Sequence, residues 1–223
     1  MSKIMMLAAM AAAAASPASA QEVQSTPAHS VEGNAIDIGD LGVTLSVPED
    51  AVYLGAKRWA LHGVADAELH AWVQADEGGL VEQFWWVQFE EYLPHVPDAH
   101  YQYDETEPTS VELGGLTFWT RPMFGEGNPR QLREGSDSEA FRGLVAEAGY
   151  RMPMWLAMVR MVHLPTEDRR KELMLIHGAN LDGVGMTMAE AYQAEKPGVT
   201  WEELYGPMVE RAPTAFTVES AED

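Results

Sequence analysis

Residues 68–93 have the sequence ELHAWVQADEGGLVEQFWWVQFEEYL, and this stretch decides the fold. Gly78-Gly79 separates two runs rich in β-branched and aromatic residues, which are typical of strands. Two consecutive glycines supply the positive φ angles that a tight hairpin turn requires. If they form a two-residue loop, Trp72 lies opposite Trp85 across the two strands. The stretch therefore predicts an antiparallel β-hairpin.

The second strand of this hairpin carries bulky apolar side chains on both faces. Trp85 and Val87 lie on one face, and Phe84 and Trp86 lie on the other. A strand that is apolar on both faces is buried on both, which is typical of a central strand. We therefore expect this strand to lie inside a sheet with at least one face covered by helices.

Strand and helix patterns on either side of the hairpin predict the fold class. Four more strand patterns are present, at Leu41–Val47, Val111–Arg121, Met154–Leu164 and Glu172–Gly178, and a shorter candidate covers Arg58–His62. Capping boxes predict three short helices, at Ser136/Glu139, Thr187/Glu190 and Thr200/Glu203. Residues 36–218 are therefore predicted to form a single α+β domain, with helices packed on a mainly antiparallel sheet of six or seven strands.

The first twenty residues have the pattern of a secretory signal peptide. Lys3 is followed by an apolar run over Ile4–Ala15, and Ala18-Ser19-Ala20 matches an A-x-A cleavage site. The apolar run is too short to span a bilayer, so no membrane span is predicted. We expect a periplasmic or secreted protein with a flexible lead-in at 21–35 and an acidic tail at 219–223.

The composition excludes several classes of protein. The chain has no cysteine, so it has no disulfide and no thiolate metal site. Its 14 basic and 35 acidic residues give a formal net charge of −21. Nucleic acid binding requires a basic surface, so we expect no nucleic acid partner.

No local catalytic motif is present, and the seven histidines are scattered along the chain. His163 and His177 lie in the second predicted strand pair, where they could approach each other. Either one could act as a base if a carboxylate joined it. The alternative is that these histidines are structural or on the surface. The catalytic residues remain unknown, and no metal site or cofactor is predicted.

Two groups of residues are candidates for ligand binding. The first is aromatic and the second is the densest basic group of the chain: Phe84, Trp86 and Tyr92, then Arg169, Arg170 and Lys171. The aromatic group could line a pocket, and the basic group could hold a carboxylate or phosphate. The alternatives are core packing beneath a helix for the first group and a charged turn between two strands for the second.

Three sequence blocks carry a family resemblance. FWWVQFEEYLP (84–94), VELGGLTF (111–118) and RRKELMLI (169–176) resemble, in this order, a group of uncharacterised secreted bacterial proteins. That resemblance implies no activity. The order of elements and the closing helix at 201–211 are also similar to PsbP-like and DcrB-like exported domains, which implies an α/β sandwich and an accessory role.

Together these observations predict an exported binding or accessory protein of the bacterial cell envelope that is not an enzyme. Its partner would be an unknown envelope protein or a small ligand. The alternative is an exported hydrolase with a histidine and carboxylate site. A third hypothesis is an interaction protein that docks through a sheet edge or the C-terminal helix.

Overall fold

The computed structural model describes residues 25–103, 109–127, 129–181 and 209–220. It is mostly β, with 52% of residues in strands and 14% in helices. The prediction of an α+β domain with helices packed on one sheet is therefore wrong. The predicted helix at 188–194 and residues 201–208 of the last predicted helix lie outside the described residues.

Eleven strands are assigned within the described residues. They are β1 (Val31–Glu32), β2 (Ala35–Ile38), β3 (Val43–Ser46), β4 (Val52–Leu61), β5 (Ala65–Ala75), β6 (Val81–Tyr92), β7 (Thr109–Leu113), β8 (Leu116–Glu126), β9 (Trp155–His163), β10 (Lys171–Asn180) and β11 (Thr217–Ser220). One α-helix, α1, covers Asp137–Glu147. Residues 209–211 are also helical, and 3-10 turns cover Gly39–Leu41 and Ala212–Ala215.

The strands form two sheets. The larger sheet has seven strands in the order β4-β5-β6-β10-β9-β8-β7, and the smaller has four in the order β1-β2-β3-β11. Every pair of neighbouring strands in both sheets is antiparallel. Strands β5, β6, β10, β9 and β8 are therefore flanked on both edges, and the hairpin predicted from residues 68–93 lies inside the larger sheet.

The β5–β6 hairpin has the predicted register and a different turn. Trp72 pairs with Trp85, as predicted. The turn, however, contains Asp76 and Glu77 as well as the glycines, because the amide of Gly79 donates to the Asp76 carbonyl at 2.9 Å. Only Gly79 has a positive φ, of +76°. A register shift after Gln74 accommodates the longer turn.

Helix α1 begins and ends where the sequence predicts. The Ser136 side chain accepts a hydrogen bond from the Glu139 amide at 3.2 Å, which caps the first turn. The helix stops before Gly149, whose φ of +83° ends the helical path. Its buried residues recur at helical spacing and face the larger sheet: Ala140, Phe141, Leu144 and Val145.

The larger sheet is covered on both faces, by different layers. On one face, Trp72 and Trp85 pack with residues of the smaller sheet, including Leu45. The Trp85 indole also donates to the Ala215 carbonyl at 2.9 Å. On the other face, Phe84 packs with residues of α1. The helical cover expected on one face is therefore present, whereas the other face is covered by a second sheet.

The smaller sheet explains why the predicted fold class is wrong. It joins strands from both ends of the chain, since β11 pairs with β3 and β3 pairs with β2. Strand β1 and the start of β2 lie within residues 21–35, which were expected to be a flexible lead-in. Each of these strands has at most four residues, and such short patterns give a weak signal in a sequence.

The described helices were also compared with the requirements of a membrane span. Within the described ranges, no helix combines the length and the hydropathy needed to cross a bilayer.

A pair of glycine substitutions tests the packing between the larger sheet and α1. A Cβ at Gly178 of β10 would lie 2.1 Å from Cε1 of Phe84, so we expect Gly178→Ala to destabilise the protein by about 1–3 kcal/mol. Gly143 of α1 has no atom within 4 Å of an added Cβ. Gly143→Ala is therefore expected to stabilise by about 0.5–1 kcal/mol. Urea unfolding of both variants measures their free energies of unfolding. Equal changes in the two variants would contradict this packing of α1 on the larger sheet.

Candidate functional site

Two of the predicted ligand-binding residues, Phe84 and Trp86, lie beneath α1. Both rings contact Phe141, with centroid distances of 4.8 Å, and the Trp86 ring is nearly parallel to it at 14°. These residues are buried, and all three line a cavity of about 290 Å³ between the larger sheet and α1. Phe84 and Trp86 therefore belong to the core packed beneath α1 and also line this cavity, while ligand binding by them stays a prediction.

The cavity beneath α1 has an apolar wall and a charged margin. Its apolar wall also includes Met123, Leu156, Met158 and Ile176. Arg142 and Arg160 line the margin together with Asp137, the first residue of α1. Arg142 Nη2 donates to the Glu126 carbonyl at 2.7 Å, while its buried Nε has no acceptor among the described residues. The margin is therefore rich in hydrogen-bond donors.

Tyr92, the third predicted aromatic residue, lies apart from the cavity. Its ring stacks on Tyr101 with a centroid distance of 4.5 Å, and Arg170 lies over it at 5.9 Å. Burial, followed by the negative charges of Glu172 and Glu90, raises the pKa of the Tyr92 hydroxyl. The aromatic group predicted from the sequence is therefore split between two places.

The predicted basic group does not form one anion site. Arg170 donates five hydrogen bonds of 2.9–3.1 Å to the backbone carbonyls of Tyr92, Leu93, Val96, Pro97 and Ala99. Lys171 pairs with Glu91 at 3.2 Å on the surface. Arg169 has a positive φ of 55° in the turn before β10. Because these five bonds use its donors, Arg170 holds the loop after β6 in place.

His163 and His177 do not come together. Their partners on the paired strand are Leu173 and Val159, so they lie four residues apart along β9 and β10. His163 Nδ1 is 3.0 Å from the Thr117 carbonyl, and His177 Nε2 is 3.2 Å from the Gln83 amide oxygen. Burial lowers the pKa of His177 to about 4. Within the described ranges, neither ring is hydrogen-bonded to a carboxylate.

A pair of carboxyl groups that was missed in the sequence lies where β6 pairs with β10. Glu90 of β6 and Glu172 of β10 are cross-strand partners. Burial raises the pKa of Glu90 to about 6, although hydrogen bonds from Tyr101 and Gln88 oppose this shift. Burial and the neighbouring Glu90 raise the pKa of Glu172 well above its usual range. Two adjacent buried carboxyl groups resist double ionisation, so the pair retains a proton near neutral pH.

A cluster of His29, Glu68 and His70 lies on the opposite face of the larger sheet. Glu68 Oε1 is 3.0 Å from His29 Nδ1 and 2.9 Å from His70 Nε2. His70 Nδ1 is in turn 2.9 Å from the Tyr53 hydroxyl. Glu68 and His70 are only 4% and 1% exposed, and His29 is 24% exposed. These three side chains are the described residues that could hold a metal ion.

Glu68 is ionised within this cluster. Burial disfavours its charge, but hydrogen bonds from both histidines and from the amides of Ala28 and His29 outweigh burial. They hold the pKa of the Glu68 carboxyl well below its usual range. A buried carboxylate with four hydrogen bonds is therefore fixed in position beside two imidazoles.

Two of the three residues of this cluster had a signal in the sequence. Glu68 and His70 are two residues apart in a predicted strand, so their side chains share one face. His29 has no such signal, because it lies 39 residues from Glu68 in a segment expected to be flexible. Only the folded chain brings the third member to the sheet.

The cluster opens onto a second cavity of about 290 Å³ between the two sheets. His29 and Glu68 line it together with Asp40 from the smaller sheet. Arg58 also lines it and forms two hydrogen bonds with the carboxylate of Asp66, at 2.9 and 2.7 Å. The site is therefore partly accessible, and its nearest guanidinium is already paired.

Comparison with known proteins reveals no relative of this chain. No family model, no curated protein and no solved structure matches it. The resemblance to a group of secreted bacterial proteins therefore remains a prediction, and function must be argued from the geometry of the described residues.

Replacing Glu172 by glutamine tests the carboxyl pair. Groups whose folded pKa is raised stabilise the fold below their unfolded pKa, near 4.5, and lose that contribution as pH rises through the folded pKa. Glu172→Gln removes one acid and lets Glu90 ionise without a charged neighbour. We expect a smaller loss of stability between pH 5 and 7.5, and at pH 7.5 a melting temperature about 2–4 °C above that of the natural protein.

Thermal unfolding at a series of pH values measures this effect. Glu82→Gln at an exposed position of β6 is the control, since it removes a similar charge outside the pair. Comparing variants at each pH cancels the contribution of other groups, including His177. A pH slope that is the same in Glu172→Gln and in the natural protein would contradict the assignment.

Proposed function

We propose that this chain is an exported binding protein of the bacterial cell envelope, and that it binds a small apolar molecule with an acidic group in the cavity beneath α1. The observation that carries the proposal is the composition of this cavity. An aromatic and aliphatic wall faces a margin that contains Arg142 and Arg160. Ligand sites commonly combine such a wall with a few polar groups.

The positive side of the cavity favours an acidic ligand. Arg142 and Arg160 supply two guanidinium groups, and α1 begins at this cavity with Asp137 and Ser138. The amino end of a helix carries a partial positive charge, which favours an anion. The Asp137 carboxylate offsets part of this charge, and Ser138 donates its amide to that carboxylate at 2.7 Å. Arg142 and Arg160 are therefore the proposed partners of a ligand carboxylate.

The size of the cavity favours a small ligand. Its volume of about 290 Å³ is at the lower end of the range of roughly 300–1,000 Å³ that is usual for ligand pockets. A single aromatic ring with a short acidic chain matches this volume and could stack against Phe141 or Trp86. Larger lipids would require the helix to move away from the sheet.

The alternative proposal, an exported hydrolase with His163 or His177 as base, has less support. The two rings lie four residues apart along the paired strands, and their hydrogen-bond partners are a backbone carbonyl and an amide. A general base needs an orienting group and a nearby reacting atom.

The proposal that the protein is exported depends on the signal-peptide pattern at 1–20. The strongly acidic composition favours a partner other than nucleic acid.

Calorimetric titration with 3-phenylpropionate tests this proposal. We expect one binding site per chain, with a dissociation constant of about 0.1 mM or tighter for a ligand of this size. Ser138→Trp places an indole at the margin of the cavity and should abolish binding. Ala146→Trp, at an exposed position of the same helix that does not line the cavity, should leave binding unchanged.

The uncharged analogue 3-phenylpropanol distinguishes the acidic group from the apolar wall. Its affinity should be at least tenfold lower, and Arg142→Met should reduce the affinity for the acid to a similar level. Binding of the acid that persists in Ser138→Trp, or no binding by the natural protein at millimolar ligand, would contradict the proposal. Circular dichroism of each variant confirms that it is folded.

A further inference from the structure

We propose that His29, Glu68 and His70 form a binding site for a divalent transition metal ion, with Zn²⁺ as the best match. This site is separate from the cavity beneath α1. It lies on the opposite face of the larger sheet, where the cluster opens onto the cavity between the two sheets. It is an additional activity, independent of the small ligand proposed above.

The donor atoms indicate the type of metal. Two imidazole nitrogens and one carboxylate oxygen form a His₂Glu set, which is common around zinc with a fourth position left open. Imidazole ligands favour zinc, copper, nickel and cobalt, whereas magnesium and calcium prefer oxygen alone. The chain has no cysteine that could compete for the ion. A transition metal is therefore the expected occupant.

The spacing of the three side chains matches chelation by one ion. The ligand atoms all lie within 4.8 Å of one another, and the two N···O distances are 2.9 and 3.0 Å. Neighbouring ligands of a tetrahedral zinc ion with bonds of about 2.1 Å are roughly 3.4 Å apart. The two N···O distances are therefore within about 0.5 Å of this spacing, and rotation of the side chains would adjust all three ligands around one ion.

Tyr53 orients the deeper histidine. Its hydroxyl lies 2.9 Å from His70 Nδ1, which leaves Nε2 directed at Glu68. A hydroxyl can donate or accept, so it supports either tautomer of His70. When Nε2 binds a metal, Nδ1 can donate to Tyr53, as metal-bound histidines usually do to a second group.

The other two ligands are also held in place. The His29 ring stacks on Phe89, with a centroid distance of 3.7 Å and an angle of 11° between the planes. Glu68 is fixed by the amides of Ala28 and His29. These contacts reduce the freedom that the side chains would lose on binding an ion, which favours affinity.

The electrostatics of the surroundings allow a cation. Asp40 and Asp66 line the same cavity as Glu68. Its two basic side chains are already paired, Arg58 with Asp66 and Lys171 with Glu91. The local charge is therefore negative, and the cavity provides space for water or another ligand at the fourth position of the metal.

Titration of Zn²⁺ into the chelator-treated full chain tests the site. Calorimetry should show one ion bound per chain, and the melting temperature should rise with added Zn²⁺ because the ion binds the folded state. Co²⁺ at the same site should give visible d–d absorption of a low-coordinate nitrogen and oxygen complex. Mg²⁺ at the same concentration should produce neither effect.

Substitutions assign the ligands. His29→Ala should reduce zinc affinity at least 100-fold, and it is the primary variant because His29 is partly exposed and its loss leaves the β5–β6 core intact. Glu68→Gln should reduce it similarly and remove the Co²⁺ spectrum. Tyr53→Phe should weaken binding by about 10–100-fold, as expected for a group that orients a ligand. His163→Gln, on the same face of the sheet but outside the cluster, should bind normally.

The result that overturns the proposal is clear. Failure of the natural protein to bind Zn²⁺ at micromolar concentrations, or unchanged binding by both His29→Ala and Glu68→Gln, excludes this site. Ser138→Trp, which blocks the cavity beneath α1, should retain full zinc affinity. The metal site and the small-ligand site can therefore fail independently of each other.

Discussion

The structure depends on the need to cover both faces of the larger sheet. Trp72 and Trp85 project from one face of the β5–β6 hairpin, and Phe84 and Trp86 project from the other face of β6. Exposing either set to water would cost roughly 1.5–3 kcal/mol of folding free energy for each large aromatic side chain. The smaller sheet covers the first face and α1 covers the second. The remaining contacts, including the indole bond to Ala215, follow from these two layers.

The polar clusters lie where these layers leave the sheet incompletely covered. Glu68 is paired with two histidines beside the opening between the sheets. Glu90 and Glu172, which pair across β6 and β10, are also among the residues that line this opening. Buried ionisable groups must be neutralised or hydrogen-bonded, because isolated burial of a charge is costly. The two clusters satisfy this requirement differently. Glu68 stays ionised with four hydrogen bonds, whereas the carboxyl pair retains a proton. The charged Glu68 cluster is suited to a cation, whereas the carboxyl pair with its retained proton is suited to uncharged surroundings.

Predictions from the sequence succeeded where one continuous segment contains the relevant interactions. The register of Trp72 against Trp85 and the capping of α1 by Ser136 are examples. The helices expected to cover the sheet gave the wrong fold class, because one cover is a sheet built from short strands near both ends of the chain. The cluster of His29, Glu68 and His70 was not expected for the same reason, since His29 belongs to a segment that reaches β5 only in the folded chain. Phe84 lies in the core beneath α1 and lines a cavity there.

By itself, the sequence determined the hairpin, the double-sided burial of β6 and the start of α1, because periodicity and capping depend on neighbouring residues. Only the tertiary structure decided which layer covers each face and which titratable groups meet. His29 and Glu68 are 39 residues apart, and Trp85 and Ala215 are 130 apart. Contacts over such distances depend on how the whole chain packs and leave no local pattern, so the sites they form became visible only in the folded protein.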